Sequence, residues 1–483
     1  MLSRRSLLAG GAAALAASPL PASGQAQTTA PTSAEGPART ILRVERRSIE
    51  VNGKSASVYA IRQPDGTFGL TTEAGKPFRV RVENGIDRPT LIHWHGMTPP
   101  WRQDGVPGIS GPPIPAGGSA DYDFPLNFGG TFWMHSHEGL QEQFLMTAPL
   151  IIHDERDRAD EQELVVMLAD FSVTPPEEIY ADLRKSGSTA GMGKDKGGGK
   201  MMMMSSMNSA KAEAPDLNDV KYDAFLANFR TLADPETVKV EPRGRLLLRI
   251  VNSSSMSNFH IDLGEREGEL VAVDGFAVEP IRASRFPVAV AQRLDIRLEL
   301  PRGPGVYPVL AQVEGERNRT GIMLVAGEAT VPRFPVETEA ASPALNLDLE
   351  RTLRAMKPLA PRKPDRVHTL NLTAEMAGYV WSINNVVWNP DVPPLPVSEG
   401  ERVELVFVNR TPMPHPMHLH GHEFQVVEID GDRFPGAVRD TVLVTPGRRV
   451  VVAFDALNPG LWALHCHLLY HLEAGMFTTI RYV

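Results

Sequence analysis

The chain has 483 residues, a net charge of −9, one cysteine, and glycine and proline at 41 each. That length points to about three domains of roughly 150 residues, the proline excess favours a turn-rich all-β chain, and the acidic balance leaves no basic face for nucleic acid or anionic lipid. A lone cysteine excludes an internal disulfide framework, and no apolar run reaches the ~20 residues that a membrane-spanning helix needs.

In chain order, Ser3-Arg4-Arg5-Ser6-Leu7-Leu8 precedes a short Ala/Gly-rich apolar run. Residues 1–30 thereby resemble a twin-arginine export signal, with cleavage expected between Ala22 and Ala30 and a periplasmic destination. That route carries folded proteins, which suits a chain loaded with a cofactor before or during maturation.

Phe78-Arg-Val-Arg-Val-Glu-Asn84 alternates as a strand and ends in Asn, and Arg245-Leu-Leu-Leu-Arg-Ile-Val-Asn252 and Arg402-Val-Glu-Leu-Val-Phe-Val-Asn409 repeat it at a domain-sized spacing. His93 and His95 follow Asn84 at the offsets at which His418 and His420 follow Asn409; after Asn252 only His260 remains. A second element recurs. Gly130-Thr-Phe-Trp-Met-His135 and Gly460-Leu-Trp-Ala-Leu-His465 run on to His137 and His467, whereas Gly305-Val-Tyr-Pro-Val-Leu310 runs on to Ala311 and Gln312. Three β-sandwich domains of one kind are predicted, over 38–155, 156–335 and 345–483, the middle one keeping the scaffold without the histidines. Within it, residues 185–215 carry Met192, Met201, Met202, Met203, Met204 and Met207 among glycines and lysines. That composition cannot build a core, so a mobile surface insertion is expected.

Ten of the 14 histidines fall in four short blocks: His93-Trp-His95, His135-Ser-His137, His415-Pro-Met-His418-Leu-His420 and His465-Cys-His467-Leu-Leu-Tyr-His471. Residues i and i+2 of a strand share a face, so each H-x-H pair presents two imidazoles to one side. Four pairs give eight neutral nitrogen donors, which suits a copper cluster better than one tetrahedral zinc. Cys466 lies between two of those histidines and faces the other way. With His415, His471 and the weak ligand Met476 it has the composition of a blue-copper electron-transfer site, and the absence of any other thiol avoids competition for the metal. His153, His260, His368 and His422 are expected to be structural, His260 as a possible relic of the repeat.

These four blocks resemble the signature of the multicopper oxidase family of laccases, bilirubin oxidases and bacterial cuprous oxidases, over nearly the whole chain after the export signal. The resemblance implies three cupredoxin-like Greek-key β-sandwich domains and four copper ions. It places type 1 copper on His415, Cys466, His471 and Met476, type 2 on His93 and His418, and the type 3 pair on His95, His135, His137, His420, His465 and His467. In the first domain the positions matching Cys466, His471 and His415 are Ser136, Gln141 and Thr90, so no type 1 site is expected there. The implied activity is one-electron oxidation of a reductant at the type 1 site, transfer through Cys466, and reduction of dioxygen to water, with reductants meeting the edge of His415 or His471. Asp104 is the best match to the family's acid that supplies protons. One departure concerns proton delivery: Leu472 stands where many bacterial members carry a glutamate, and Glu473 is the nearest substitute. Met476 as a thioether ligand favours a lower potential than an apolar residue would.

Thioethers favour Cu(I), and the methionine-rich insertion resembles the segments that cuprous oxidases use, although theirs lie in the third domain and their acid four residues before the first type 1 histidine is here Thr411. The expected function is a periplasmic, monomeric cuprous oxidase in copper tolerance, taking dioxygen and Cu(I) or small aromatic reductants. A laccase acting on phenols is the alternative within the enzyme class, with bilirubin or manganese oxidation less favoured; a non-catalytic copper buffer is the alternative outside it. Copper nitrite reductase is excluded by the three-domain repeat and by Ser136.

Overall fold

The computed structural model describes residues 39–189 and 217–483. The residues expected to form an export signal, 1–30, and the run Met201–Met207, with Met192, lie outside them. Six sheets are present among the described residues, two for each copy of the repeat. In every copy the first long strand runs parallel to the strand that ends in Asn: Thr40–Val51 beside Pro77–Asn84, Glu161–Phe171 beside Arg245–Asn252, and Arg366–Glu375 beside Arg402–Asn409. The second sheet of each copy pairs Ile92–His95 with Gly130–Ser136, Phe259–Asp262 with Gly305–Val313, and His415–Leu419 with Leu461–Cys466, all antiparallel. The fold is all-β, with three cupredoxin-like sandwiches as expected.

The recurring asparagine has a physical role. Asn84, Asn252 and Asn409 each close the turn out of their strand by accepting at Oδ1 from the backbone N–H two residues on, of Ile86, Ser254 and Thr411. Each Nδ2 then donates to two carbonyls that fix the following segment: Arg88 and Ile114, Ser257 and Val288, Met413 and Val444. Buried amides with every bond satisfied set the path into the next strand rigidly. In the first and third copies that next strand carries the histidines, and His93 faces His135 across the ladder as His418 faces His465.

Of the insertion expected over 185–215, residues 185–189 are the end of a helix, Pro176–Thr189, with Pro176 at its opening position and Glu177 and Glu178 in its first turn, and residues 190–215 lie outside the described residues. No helix among the described residues is long and apolar enough to cross a membrane.

Candidate metal centre

The two strands that end near His95 and His420 bring the first and third copies face to face. The rings of His95 and His418 stack with centroids 3.8 Å apart, and those of His93 and His420 lie 3.9 Å apart. Eight imidazoles converge there as three groups: His93, His95 and His418; His95, His135 and His467; and His137, His420 and His465. The pairs His135/His137, His418/His420 and His465/His467 are each divided between groups, while His93 and His95 share the first, so one pair serves neighbouring positions of a cluster. His95 belongs to two of them.

At His93, His95, His135, His418 and His467 a ring nitrogen that faces this centre has no protein partner. Nδ1 of His93, His135, His418 and His465 meets the carbonyls of Asp104, Ser136, Asp440 and Cys466 at 2.8, 3.0, 2.9 and 2.9 Å. Nε2 of His93, His135, His418 and His467 is buried and unpaired. With its Nδ1–H held by the Asp104 carboxylate at 2.8 Å, His420 presents a lone pair at Nε2, only 2.9 Å from the Nε2 lone pair of His465. Two lone pairs at that distance repel unless a cation lies between them. The residues fit a cluster of copper ions on that ground.

Behind the same strand, Cys466 Sγ lies 3.5 Å from His415 Nδ1 and 3.8 Å from His471 Nδ1, and those two nitrogens are 3.2 Å apart. Their outer nitrogens are occupied: His415 Nε2 by Thr411 Oγ1 at 2.6 Å, His471 Nε2 by Asp219 Oδ2 at 2.9 Å. A thiol and two inward lone pairs remain, the donor set of a blue-copper site. Met476 is fully buried, accepts the Cys466 N–H at its carbonyl, and donates its own N–H to the carbonyl of His471. Trp381 stacks on His471 at 3.7 Å. The equivalent place in the first copy holds a hydrogen-bonded core instead. Thr90 and Ser136 both donate to Gln141 Oε1, at 2.7 and 2.9 Å, and Thr90 also reaches Met146 Sδ at 3.3 Å.

One expectation is corrected. His415 and His471 are wholly buried, and Thr411 and Asp219 cover their edges, so neither imidazole meets a reductant directly. Asp219 was not legible beforehand, nor were Glu142 and Asp440. Glu142 is buried, lies 2.9 Å from His135 Nδ1, and has Oε1 unpaired; burial, then Asp170, pushes its carboxyl well up. A small cavity of about 50 Å³ runs past Glu142, Leu472 and Glu473 to His137 and His465. The four remaining histidines are structural: His153 pairs with Glu163, His260 with the Pro343 carbonyl, His368 with that of Pro396, and His422 with the His420 carbonyl and Tyr482.

Burial, reinforced by a neighbouring imidazole at each of them, holds His95, His135, His137, His415, His418, His420, His465 and His467 below their ordinary 6.5. They stand neutral near pH 7, ready as ligands. Below 6.5 the unfolded chain takes up protons that the folded chain refuses, so stability is lost as pH falls. Thermal melts of metal-free protein are expected to show Tm dropping between about pH 7 and pH 5, a trend that a pH-independent Tm would contradict. Burial pushes the Cys466 thiol up, so copper loading at that site releases a proton.

Three multicopper oxidase family models match the chain, over residues 44–157, 162–326 and 361–483. Multicopper oxidase MmcO of Mycobacterium tuberculosis is 29% identical over 425 residues, covering 86% of this chain and 81% of that protein. Copper resistance protein A of Escherichia coli is 27% identical, covering 85% and 87%. In structure the chain resembles Fet3p, a multicopper oxidase that functions in iron import, with a TM-score of 0.77 at 21% identity, covering 92% of this chain and 90% of that one. With the repeat, the paired histidines and the buried thiol converging on one copper chemistry, this chain belongs to the multicopper oxidase family, oxidoreductases that pass electrons to dioxygen.

Proposed function

We propose that the protein is a periplasmic, monomeric cuprous oxidase that takes Cu(I) as reductant and dioxygen as acceptor. In this reading type 1 copper is held by His415, Cys466, His471 and Met476, type 2 by His93 and His418, and the type 3 pair by His95, His135, His137, His420, His465 and His467. When bound, copper supplies one-electron acceptance at the thiolate site and four-electron reduction of dioxygen to water at the histidine cluster. The chain's own part is wiring and selection. Cys466 is flanked by His465 and His467, so the shortest covalent route between the two sites is a single residue in either direction.

The observation that carries the choice of substrate is Asp219. Its Oδ2 meets His471 Nε2 at 2.9 Å and the Tyr379 hydroxyl at 2.6 Å. An anionic group at the acceptor's edge attracts a cation, while the buried imidazoles give a phenol ring nothing to lie against. Asp219 follows closely on the segment that contains Met201, Met202, Met203, Met204 and Met207, soft donors suited to Cu(I).

Dioxygen uptake by copper-loaded protein, driven by Cu(I) and separately by a phenol, tests this. Asp219→Asn is expected to lower kcat/KM for Cu(I) by on the order of tenfold and that for the phenol much less. Deleting Met201 to Met207 should impair the Cu(I) rate selectively. Equal losses with both reductants would favour the laccase reading, and copper binding without dioxygen uptake would favour a buffer.

A further inference from the structure

Among the described residues the middle copy of the repeat supplies no ligand to the histidine cluster or the thiolate site, yet it sends a fully buried arginine to the other two. Arg293 donates from Nε to the Thr131 carbonyl at 3.1 Å, and from Nη1 and Nη2 to the carbonyls of Ala291 and Asp274 at 3.0 and 2.9 Å. It also grips Asp440 with both arms of the fork, Nη1 to Oδ1 at 2.9 Å and Nη2 to Oδ2. A bidentate pair of this kind fixes the plane of a carboxylate as well as its charge.

The other side of that carboxylate touches the cluster. Asp440 Oδ1 lies 3.0 Å from His95 Nε2, and the Thr441 hydroxyl bridges them, 2.8 Å from Oδ1 and 3.2 Å from Nε2. The Asp440 carbonyl meets His418 Nδ1 at 2.9 Å. His95 is therefore reversed relative to His93, His135, His418 and His465. Their Nδ1 is satisfied, whereas in His95 Nε2 is satisfied and Nδ1 is buried without a partner. The backbone is fitted to the same pair. A Cβ on Gly96, at φ +87°, would stand 2.6 Å from Arg293 Nη2 and 2.7 Å from Asp440 Oδ2.

We infer that Arg293 and Asp440 are positioning residues for the copper cluster. The middle domain locks the Asp440 carboxylate through Arg293, and Asp440 in turn selects which nitrogen of His95 faces the metal and anchors His418. This goes beyond the proposed substrate and rests only on His95 and His418 being cluster ligands.

The test uses the full chain loaded with copper. Asp440→Asn and Arg293→Lys are compared with Glu350→Gln, which loosens the neighbouring Arg439 ion pair of the same junction and touches no histidine. The readouts are copper retained against a chelator, the EPR spectrum of the copper not bound to thiolate, and the thiolate absorption as a marker of an intact third domain. Outer partners of metal ligands typically contribute about 10- to 100-fold in metal affinity. Asp440→Asn and Arg293→Lys are expected to lose that much at the cluster and to change its EPR spectrum, while keeping the thiolate absorption; Glu350→Gln is expected to change neither. Cluster affinity and EPR unchanged in both variants would overturn the inference, as would an equal loss in Glu350→Gln. Should either variant lose the thiolate absorption too, Thr441→Val removes the bridging hydroxyl and leaves the ion pair whole; an unaltered EPR spectrum there overturns the inference. Wild-type protein that takes up no cluster copper would instead refute the ligand assignment.

Discussion

Cys466→Ser is expected to remove the intense visible absorption of the copper-loaded protein and to lower dioxygen uptake with any reductant by more than the about 10- to 100-fold that losing an outer partner costs. Sulfur is the soft donor of the site, and a hydroxyl replaces neither its affinity for copper nor its covalency with it. The loss should not come from unfolding. The residue is fully buried on the strand Leu461–Cys466, paired through the ladder to Met417, and a serine Oγ there could still hydrogen-bond to His415 Nδ1, 3.5 Å from the present sulfur. A buried hydroxyl left unpaired would destabilise the fold by about 1–3 kcal/mol at most. Cluster copper should be retained, since His465 and His467 turn to the opposite side. A variant that kept full turnover would mean that electrons reach the cluster without the thiolate, and the assignment of this strand would fail.

How far the site could be read in advance follows from how its parts are encoded. Eight of the histidines sit in pairs at offsets matched between the first and third copies of the repeat, which sets them apart from His153, His260 and His368, and His422 differs from them in having Met97 as its counterpart in the first copy. The comparison of repeats also identified Thr90, Ser136 and Gln141 as the replaced thiolate site, and these three do meet, around Gln141 Oε1. Asp219, Asp440 and Arg293 carry no such periodicity. Asp219 reaches His471 and Asp440 reaches His95 across most of the chain, 252 and 345 residues apart. A single charged residue in a strand or turn looks solvated until the packing of the domains shows what it faces. The expected access to the imidazole edges failed for the same reason, because the groups that cover them come from residues far away in sequence or from a local threonine that reads as an ordinary turn residue.

Asp104 illustrates a turn and a functional group in one residue. Gly105, at φ +86°, packs so tightly on Ile92 that a Cβ would lie 1.9 Å from the Ile92 carbonyl oxygen, so the Asp-Gly turn is locked against the histidine strand. The lock puts the Asp104 carbonyl 2.8 Å from His93 Nδ1 and its carboxylate Oδ2 2.8 Å from His420 Nδ1, while Oδ1 stays buried without a hydrogen-bond partner. Asp104→Ala is therefore expected to free the His420 ring, lower cluster copper affinity and dioxygen uptake by about 10- to 100-fold, and leave the thiolate absorption intact. Asp104→Asn keeps an acceptor for His420 but removes the carboxyl that can carry a proton. If Asp104 supplies protons as well as orienting His420, the Asn protein will hold its copper and still lose turnover, with a solvent isotope effect different from that of the wild type. Full turnover in Asp104→Asn would limit this residue to orientation and leave proton delivery to the side of the cluster lined by Glu142 and Glu473.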